Sequence, residues 1–118
     1  MKISNSELKF MEIVWQNEPL PSGEAVKLSA EFLGWKKSTV YTVIKKLCEK
    51  GAIISENAVI SSKIGKDAVL ENVSENIVRE KFGGSLPMFF AAFLKKEKLS
   101  QKEAEELKKL IDRYTKEG

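Results

Sequence analysis

One segment, residues 37–50, limits the possible folds of this chain more than any other. Its apolar residues recur at the three- and four-residue spacing of an amphipathic helix. They form one continuous stripe: Val40, Val43, Ile44, Leu47 and Cys48. A helix with such a stripe is stable only when other segments cover it, and Gly51 is typical of the residue that ends a helix. We therefore predict a helix from about Lys37 to Lys50 that packs on a core, with Cys48 as a small apolar residue.

The stretch 36–50 is also the most basic part of the chain. It holds five lysines and one glutamate, a charge of +4, whereas the whole chain carries +3. The side of the predicted helix opposite the stripe combines these lysines with hydroxyl groups, and both can reach bases or phosphates in a major groove. The free N–H groups of the first helical turn also favour phosphate. The predicted DNA-binding residues are Lys36, Lys37, Ser38, Thr39, Tyr41, Thr42, Lys45 and Lys46.

Two helices are predicted before this segment. The sequence Ser4-Asn5-Ser6-Glu7 has the pattern of a capping box and opens the first helix. Ser22 is the predicted N-cap of the second helix, which Gly34 ends. Trp15 lies on the apolar stripe of the first helix, and Trp35 lies in the turn before the basic helix. Both tryptophans are predicted to be structural, and Trp35 is expected to hold the basic helix against the first.

A small hairpin is predicted after the basic helix. Two short β-like runs, 52–55 and 58–61, flank Glu56 and Asn57. Three helices followed by a hairpin are typical of a winged helix-turn-helix domain. The predicted fold is mostly α with this one hairpin: a winged helix-turn-helix domain at residues 1–64, then a helical domain.

The remaining part, residues 65–118, is predicted to be a helical dimerisation domain. Its helices are separated by Gly83-Gly84-Ser85, and a second capping box at Ser100 opens the last one. About fifty residues have too little interior to bury its many large apolar groups, so a second copy is expected to cover them. The predicted dimerisation residues are Phe82, Leu86, Phe89, Phe90, Phe93, Leu94, Leu107, Leu110, Ile111 and Tyr114.

Several classes of protein are disfavoured by composition. The chain has one cysteine and no histidine, which argues against a disulfide, a zinc site and the commonest general base. Carboxylates such as Glu105 and Glu106 are expected on an exposed helix face. No catalytic residue, metal site or cofactor is predicted, and the chain is not expected to be an enzyme. No apolar run approaches ~20 residues, so we expect no membrane insertion and a cytoplasmic location.

The sequence resembles the penicillinase and methicillin-resistance repressors (the BlaI/MecI family). The similarity extends in order over nearly the whole chain. It rests on Ile3-Ser4 with Glu7, Met11, Val14-Trp15, Glu24-Ala25-Val26, Trp35, Ser38-Thr39-Val40-Tyr41-Thr42, Leu47, Lys50-Gly51, Phe82-Gly83-Gly84-Ser85-Leu86, Ala91-Ala92-Phe93-Leu94 and Leu99-Ser100.

This resemblance implies a repressor that binds a pseudo-palindromic double-stranded DNA operator as a homodimer. By position, Thr39, Thr42 and Lys46 match recognition-helix residues that meet DNA in the family, with Lys46 where arginine is usual. The family's hairpin is longer and has a Gly-Arg tip that this chain lacks. In the β-lactam branch, a membrane sensor-protease system relieves repression through cleavage at an Asn-Phe bond. The equivalent bond here is Ala92-Phe93, without the asparagine.

One alternative belongs to a different class of protein. A winged helix can keep its fold and bind another protein, with weak or no DNA binding, and the short hairpin favours that interpretation. The lysines beside hydroxyl groups oppose it. A winged-helix regulator that senses a small molecule is a further alternative, although the sequence indicates no polar ligand pocket.

Overall fold

A computed structural model describes residues 1–115 of the chain. Within that range the chain forms helices joined by short connections and one small sheet. The elements are α1 (Asn5–Asn17), β1 (Leu20–Pro21), α2 (Ser22–Leu33), α3 (Lys37–Glu49), β2 (Ile53–Glu56), β3 (Val59–Ser62), α4 (Lys66–Lys81), α5 (Leu86–Lys96) and α6 (Gln101–Tyr114). The predicted fold class, a mainly helical winged-helix chain with a helical C-terminal part, is confirmed.

The capping boxes form as the sequence predicts. The Ser4 hydroxyl accepts from the Glu7 backbone N–H at 3.2 Å, and the Glu7 carboxylate accepts from the Ser4 backbone N–H at 2.8 Å. Ser100 opens α6 in the same way. The prediction for Ser22 is wrong: it is the first residue of α2 and caps nothing with its side chain. Pro21, the last residue of β1, takes the N-cap position, and the Ser22 N–H donates to the Ala58 carbonyl in the hairpin turn.

The hairpin differs from its prediction in two ways. Its turn lies at Asn57 and Ala58, one residue later than predicted, with φ of 51° and 60°. A two-residue turn between antiparallel strands needs positive φ at both central residues, which asparagine tolerates well, so Glu56 stays in β2. A third strand, β1, pairs with β3 and completes a sheet of order β1-β3-β2, and this strand was not predicted.

The core lies between α1, α3 and the sheet. Its fully buried large side chains come from each of these elements and from the first half of α4: Phe10, Met11, Val14, Val40, Leu47, Ile53, Ile60 and Val69. Trp15 packs against this core and is half-buried, and its indole N–H donates to the Ile64 carbonyl at 3.1 Å.

Two compact units can be described separately. The first is Met1–Asn76, and the second begins at Ile77. From Ile77 to Thr115 no residue is buried, so the second unit has no interior within the described range. The first unit extends into α4 because Val69 joins its core. The domains at 1–64 and 65–118 stay a prediction, since compactness alone does not show where a unit folds independently.

Candidate nucleic-acid interface

The apolar stripe of α3 fixes the orientation of this helix. Val40, Val43, Ile44 and Leu47 are buried, while Cys48 at the end of the stripe is half-buried. Because four buried side chains hold one face against the core, the opposite face must point to solvent.

All eight residues predicted for DNA binding are exposed on or next to α3. They are Lys36, Lys37, Ser38, Thr39, Tyr41, Thr42, Lys45 and Lys46. Lys36 is the N-cap, and no side chain caps the first turn, so its N–H groups remain available to an anion. The structure thus brings together four lysines and three hydroxyl-bearing aliphatic side chains on one exposed surface, which we call the α3 face.

Two contacts order side chains on the α3 face. The Thr42 hydroxyl donates to the Ser38 carbonyl at 2.9 Å, which leaves its oxygen lone pairs and its methyl group free to meet another molecule. The Lys37 ammonium lies 5.9 Å from the centre of the Tyr41 ring, within the range of a cation–π interaction. These contacts restrain the side chains, and the Thr42 oxygen and methyl group and the Lys37 ammonium can still contact another molecule.

The turn before α3 is fixed by an aromatic contact. Gly34 ends α2 with a φ of 67°, a left-handed conformation that glycine adopts without strain. Trp35 follows it and stacks on Phe10 of α1, with ring centres 6.3 Å apart and planes inclined by 11°. The structure therefore agrees with the prediction that Trp35 holds the start of α3 against α1.

An open concavity of about 470 Å³ lies between α3 and the start of α1. Thr39, Thr42, Lys46 and Lys50 line it from α3. Lys50 is not free there, because its ammonium donates to the Glu7 carboxylate at 2.5 Å. Sequence reasoning missed this pair: the capping-box pattern explains Glu7 locally and gives no sign of a partner 43 residues away.

The surroundings of Glu7 stabilise its carboxyl group in the charged form. Burial raises the pKa of its carboxyl, but hydrogen bonds from Lys50 and from the backbone and hydroxyl of Ser4 outweigh burial, so the pKa lies below its ordinary value. Glu7 is therefore ionised at neutral pH and neutralises Lys50.

The hairpin is short and held in place from both sides. Glu18 accepts from the backbone N–H and hydroxyl of Ser62, at 2.9 Å each through one carboxylate oxygen. The Ser22 N–H donates to the Ala58 carbonyl at 2.8 Å. The charged side chain nearest the tip is Glu56, an acid, so the tip offers no cation to a phosphate.

In the second unit, the residues predicted for dimerisation are partly or fully exposed. Phe82 and Phe89 pack edge to face at 5.4 Å, and Phe90 contacts Phe89 in the same manner at 5.7 Å. A groove of about 300 Å³ lies between α5 and α6. The exposed members are Leu86, Phe93, Leu94, Leu110, Ile111 and Tyr114, and Phe82, Phe89, Phe90 and Leu107 are half-buried.

The Ala92-Phe93 bond, the candidate cleavage position, lies inside α5. Both residues are exposed, Phe93 by 48%. The bond is thus open to solvent but helical, and a protease would have to unwind this part of α5 to reach it.

Three helices, a helix-turn-helix arrangement and a short hairpin define a winged-helix protein. Comparison with known proteins narrows this class. The family model described as penicillinase repressor matches residues 3–113, and the chain belongs to that family. This is a family of repressors, and the chain is accordingly a repressor-type regulator and not an enzyme.

Individual relatives are similar over nearly their whole length. The chain is 24% identical to the penicillinase repressor of Bacillus licheniformis, over 96% of this chain and 91% of that protein. It is 28% identical to the penicillinase repressor of Staphylococcus aureus, over 98% and 95%. It is 26% identical to the methicillin resistance regulatory protein MecI of Staphylococcus aureus strain Mu50, over 95% and 94%. Within residues 1–115 no helix is long and apolar enough to cross a membrane.

Proposed function

We propose that this chain represses transcription by binding a pseudo-palindromic DNA operator as a homodimer, with the α3 face in the major groove. The observation that carries the proposal is the division of α3 into a buried apolar stripe and an exposed face of lysines and hydroxyls. Such a face suits both the negative backbone and the donor and acceptor groups of the base edges.

The residues of the α3 face divide into two roles. Thr39 and Thr42 reach base edges, where a hydroxyl hydrogen-bonds and a methyl group contacts thymine. Lys45 and Lys46 contact phosphates, which strengthens binding without reading sequence. The acidic tip of the hairpin makes no phosphate contact, so α3 supplies most of the interface.

The base-reading role is tested at Thr42. Thr42→Ala should weaken binding by about 1–3 kcal/mol, since both the hydroxyl and the methyl contact are lost. Thr42→Ser keeps the hydroxyl and Thr42→Val keeps the methyl, so the weaker of these two variants identifies the contact that matters. The measurement is fluorescence anisotropy with a duplex that the protein selects from a random pool. Equal affinities of the wild type and the three variants for this duplex would contradict base reading by Thr42.

The phosphate role is tested by salt dependence. Lys45→Ala and Lys46→Ala should each make the slope of log K against log salt shallower by about 0.9. Lys9→Ala is the matched control, because Lys9 lies beside Phe32 on another surface of the first unit. A slope that changes equally in all three variants would show a general effect of net charge.

The homodimer is proposed from the second unit. Its helices α5 and α6 contain no buried residue, although large apolar side chains line them. A soluble protein rarely leaves such a surface in water, and a second copy with two-fold symmetry would cover it. To bind both halves of a palindrome, such a dimer has to hold its two α3 helices about 34–36 Å apart, one turn of DNA.

The dimer is tested by sedimentation equilibrium at micromolar concentration. The apparent mass of the wild-type protein should be well above the monomer mass of 13.3 kDa. Phe93→Asp places a charge in the apolar surface and should yield monomers that bind a full palindrome only as weakly as a half-site. Phe32→Asp is the matched control, since Phe32 is 68% exposed but lies on α2 in the first unit. A wild-type monomer would contradict the proposal.

Relief of repression is proposed to follow cleavage of Ala92-Phe93, in a pathway with a membrane sensor-protease. The cut removes α6 and the end of α5, and with them most of the proposed dimer surface, while the first unit keeps the α3 face. Mass spectrometry of the chain from penicillin-treated cells should find a fragment that ends at Ala92. Repression that is lifted while the chain stays intact would contradict this step.

A protein-interaction module is the second candidate function, and the short hairpin with Glu56 near its tip favours it. The selection from a random pool separates the two. A protein partner is supported if no duplex is enriched over repeated rounds at low salt.

A further inference from the structure

Glu7 joins the beginning of α1 to the end of α3. Its side chain is 4% exposed, and one oxygen, Oε1, accepts from the Ser4 backbone N–H at 2.8 Å and from the Lys50 ammonium at 2.5 Å. Lys50 also donates to the Lys2 carbonyl at 2.7 Å. The second oxygen of Glu7 is buried without a hydrogen-bond partner in the described structure. The carboxylate therefore depends on its contacts through Oε1.

Lys50 lies in line with the proposed DNA-binding residues. Lys46 and Lys50 lie seven and eleven residues after Thr39, close to two and three helical turns, so the three residues share one side of α3. All three line the concavity beside that helix. If its ammonium were free, Lys50 would extend the row of cations along this side.

We propose that Glu7 is a positioning residue that holds Lys50 away from the DNA backbone and fixes the end of α3 against α1. The inference rests on the proposed function, because it concerns the same surface. Glu7 retains Lys50 because an unpaired buried carboxylate costs far more than an exposed phosphate contact gains.

A lower affinity for DNA of any sequence follows from this arrangement. A phosphate contact adds equally to binding of every sequence, so each extra free lysine strengthens non-specific binding. By withdrawing Lys50, Glu7 limits the phosphate contacts on this side of α3 to Lys46. Loss of Glu7 should then raise affinity for unrelated DNA and for the operator by the same factor.

The test compares the salt dependence of DNA binding in full-length variants. Glu7→Gln should steepen the slope of log K against log salt by about 0.9, because Lys50 becomes free to contact a phosphate. From 50 to 200 mM salt, this variant should lose about 3.5-fold more affinity for a scrambled duplex than wild type does. The double variant Glu7→Gln/Lys50→Met should return to the wild-type slope.

Glu12→Gln is the matched control. Glu12 is also on α1 and also pairs with a lysine, Lys66 at 2.8 Å, but it does not line the concavity. It adds the same charge of +1 and should leave the slope unchanged. A purely structural role of Glu7 would lower the melting temperature without changing the slope.

The outcomes separate the two proposals. If wild type binds no duplex, the proposed function fails. If wild type binds and Glu7→Gln keeps its slope, the positioning role alone is overturned. Should Glu7→Gln not fold, the double variant still tests whether Lys50 is withdrawn: its slope should equal that of wild type, and a slope shallower by about 0.9 would overturn the inference, because Lys50 would then contact phosphate in the wild type.

Discussion

Trp15→Phe tests how α1 is held to the segment after the hairpin. The substitution keeps an aromatic ring but removes the donor that bonds the Ile64 carbonyl at 3.1 Å. One such hydrogen bond contributes about 0.5–1.5 kcal/mol, and the smaller ring loses part of its contact with the core. We expect Trp15→Phe to lower the free energy of unfolding by about 1–2 kcal/mol.

Trp35→Phe is the control for the loss of ring area. Trp35 is also half-buried, but its indole makes no hydrogen bond within residues 1–115, and phenylalanine can keep the stack on Phe10. Urea unfolding, monitored by circular dichroism, measures the free energy of unfolding of both variants. In thermal unfolding of a unit of this size, a loss of 1 kcal/mol in the free energy of unfolding would lower the melting temperature by about 4–8 °C. Equal losses in the two variants would refute the role given to the Trp15 hydrogen bond.

Two further predictions concern stability. Ala58→Gly should stabilise the protein by about 1 kcal/mol in thermal unfolding, because alanine at a φ of 60° is strained. Asn57→Gly should stabilise the protein less, because asparagine tolerates a positive φ, and equal stabilisation by the two variants would contradict this explanation. The pKa of Glu7 lies below its ordinary value of 4.5, so its contribution to stability is complete above that pH and is lost as pH falls through the lowered pKa. Urea titrations between pH 3 and 7 should show a smaller acid loss in Glu7→Gln than in Glu12→Gln, and identical profiles would rule this out.

Much of the fold follows from local patterns in the sequence. The stripe from Val40 to Leu47, the capping boxes and Gly34 each act over a few residues, so their helices could be predicted with nearly correct ends. The exposed α3 face follows from the same periodicity, because burial of one side of a helix determines the other. The prediction for Trp35 also succeeded, since a large ring beside a tight turn has few places to pack.

Features that depend on distant partners could not be predicted. Strand β1 has only two residues, one of them Pro21, and exists because β3 offers an unpaired edge. The turn shifted by one residue because Asn57 accepts a positive φ and a central glutamate does not benefit from it. The pair of Glu7 and Lys50 crosses from the first helix to the third, and no local spacing indicates such a contact.

The central claim is that the α3 face binds DNA, and an amide-resolved NMR titration tests it most directly. The full-length chain, labelled with ¹⁵N, is titrated with the duplex that it selects from a random pool. The amide signals of residues 36–46 should shift most, and those of Lys9 and Phe32 should stay nearly constant. Shifts centred on Phe32 or on the hairpin, with residues 36–46 unchanged, would contradict the account.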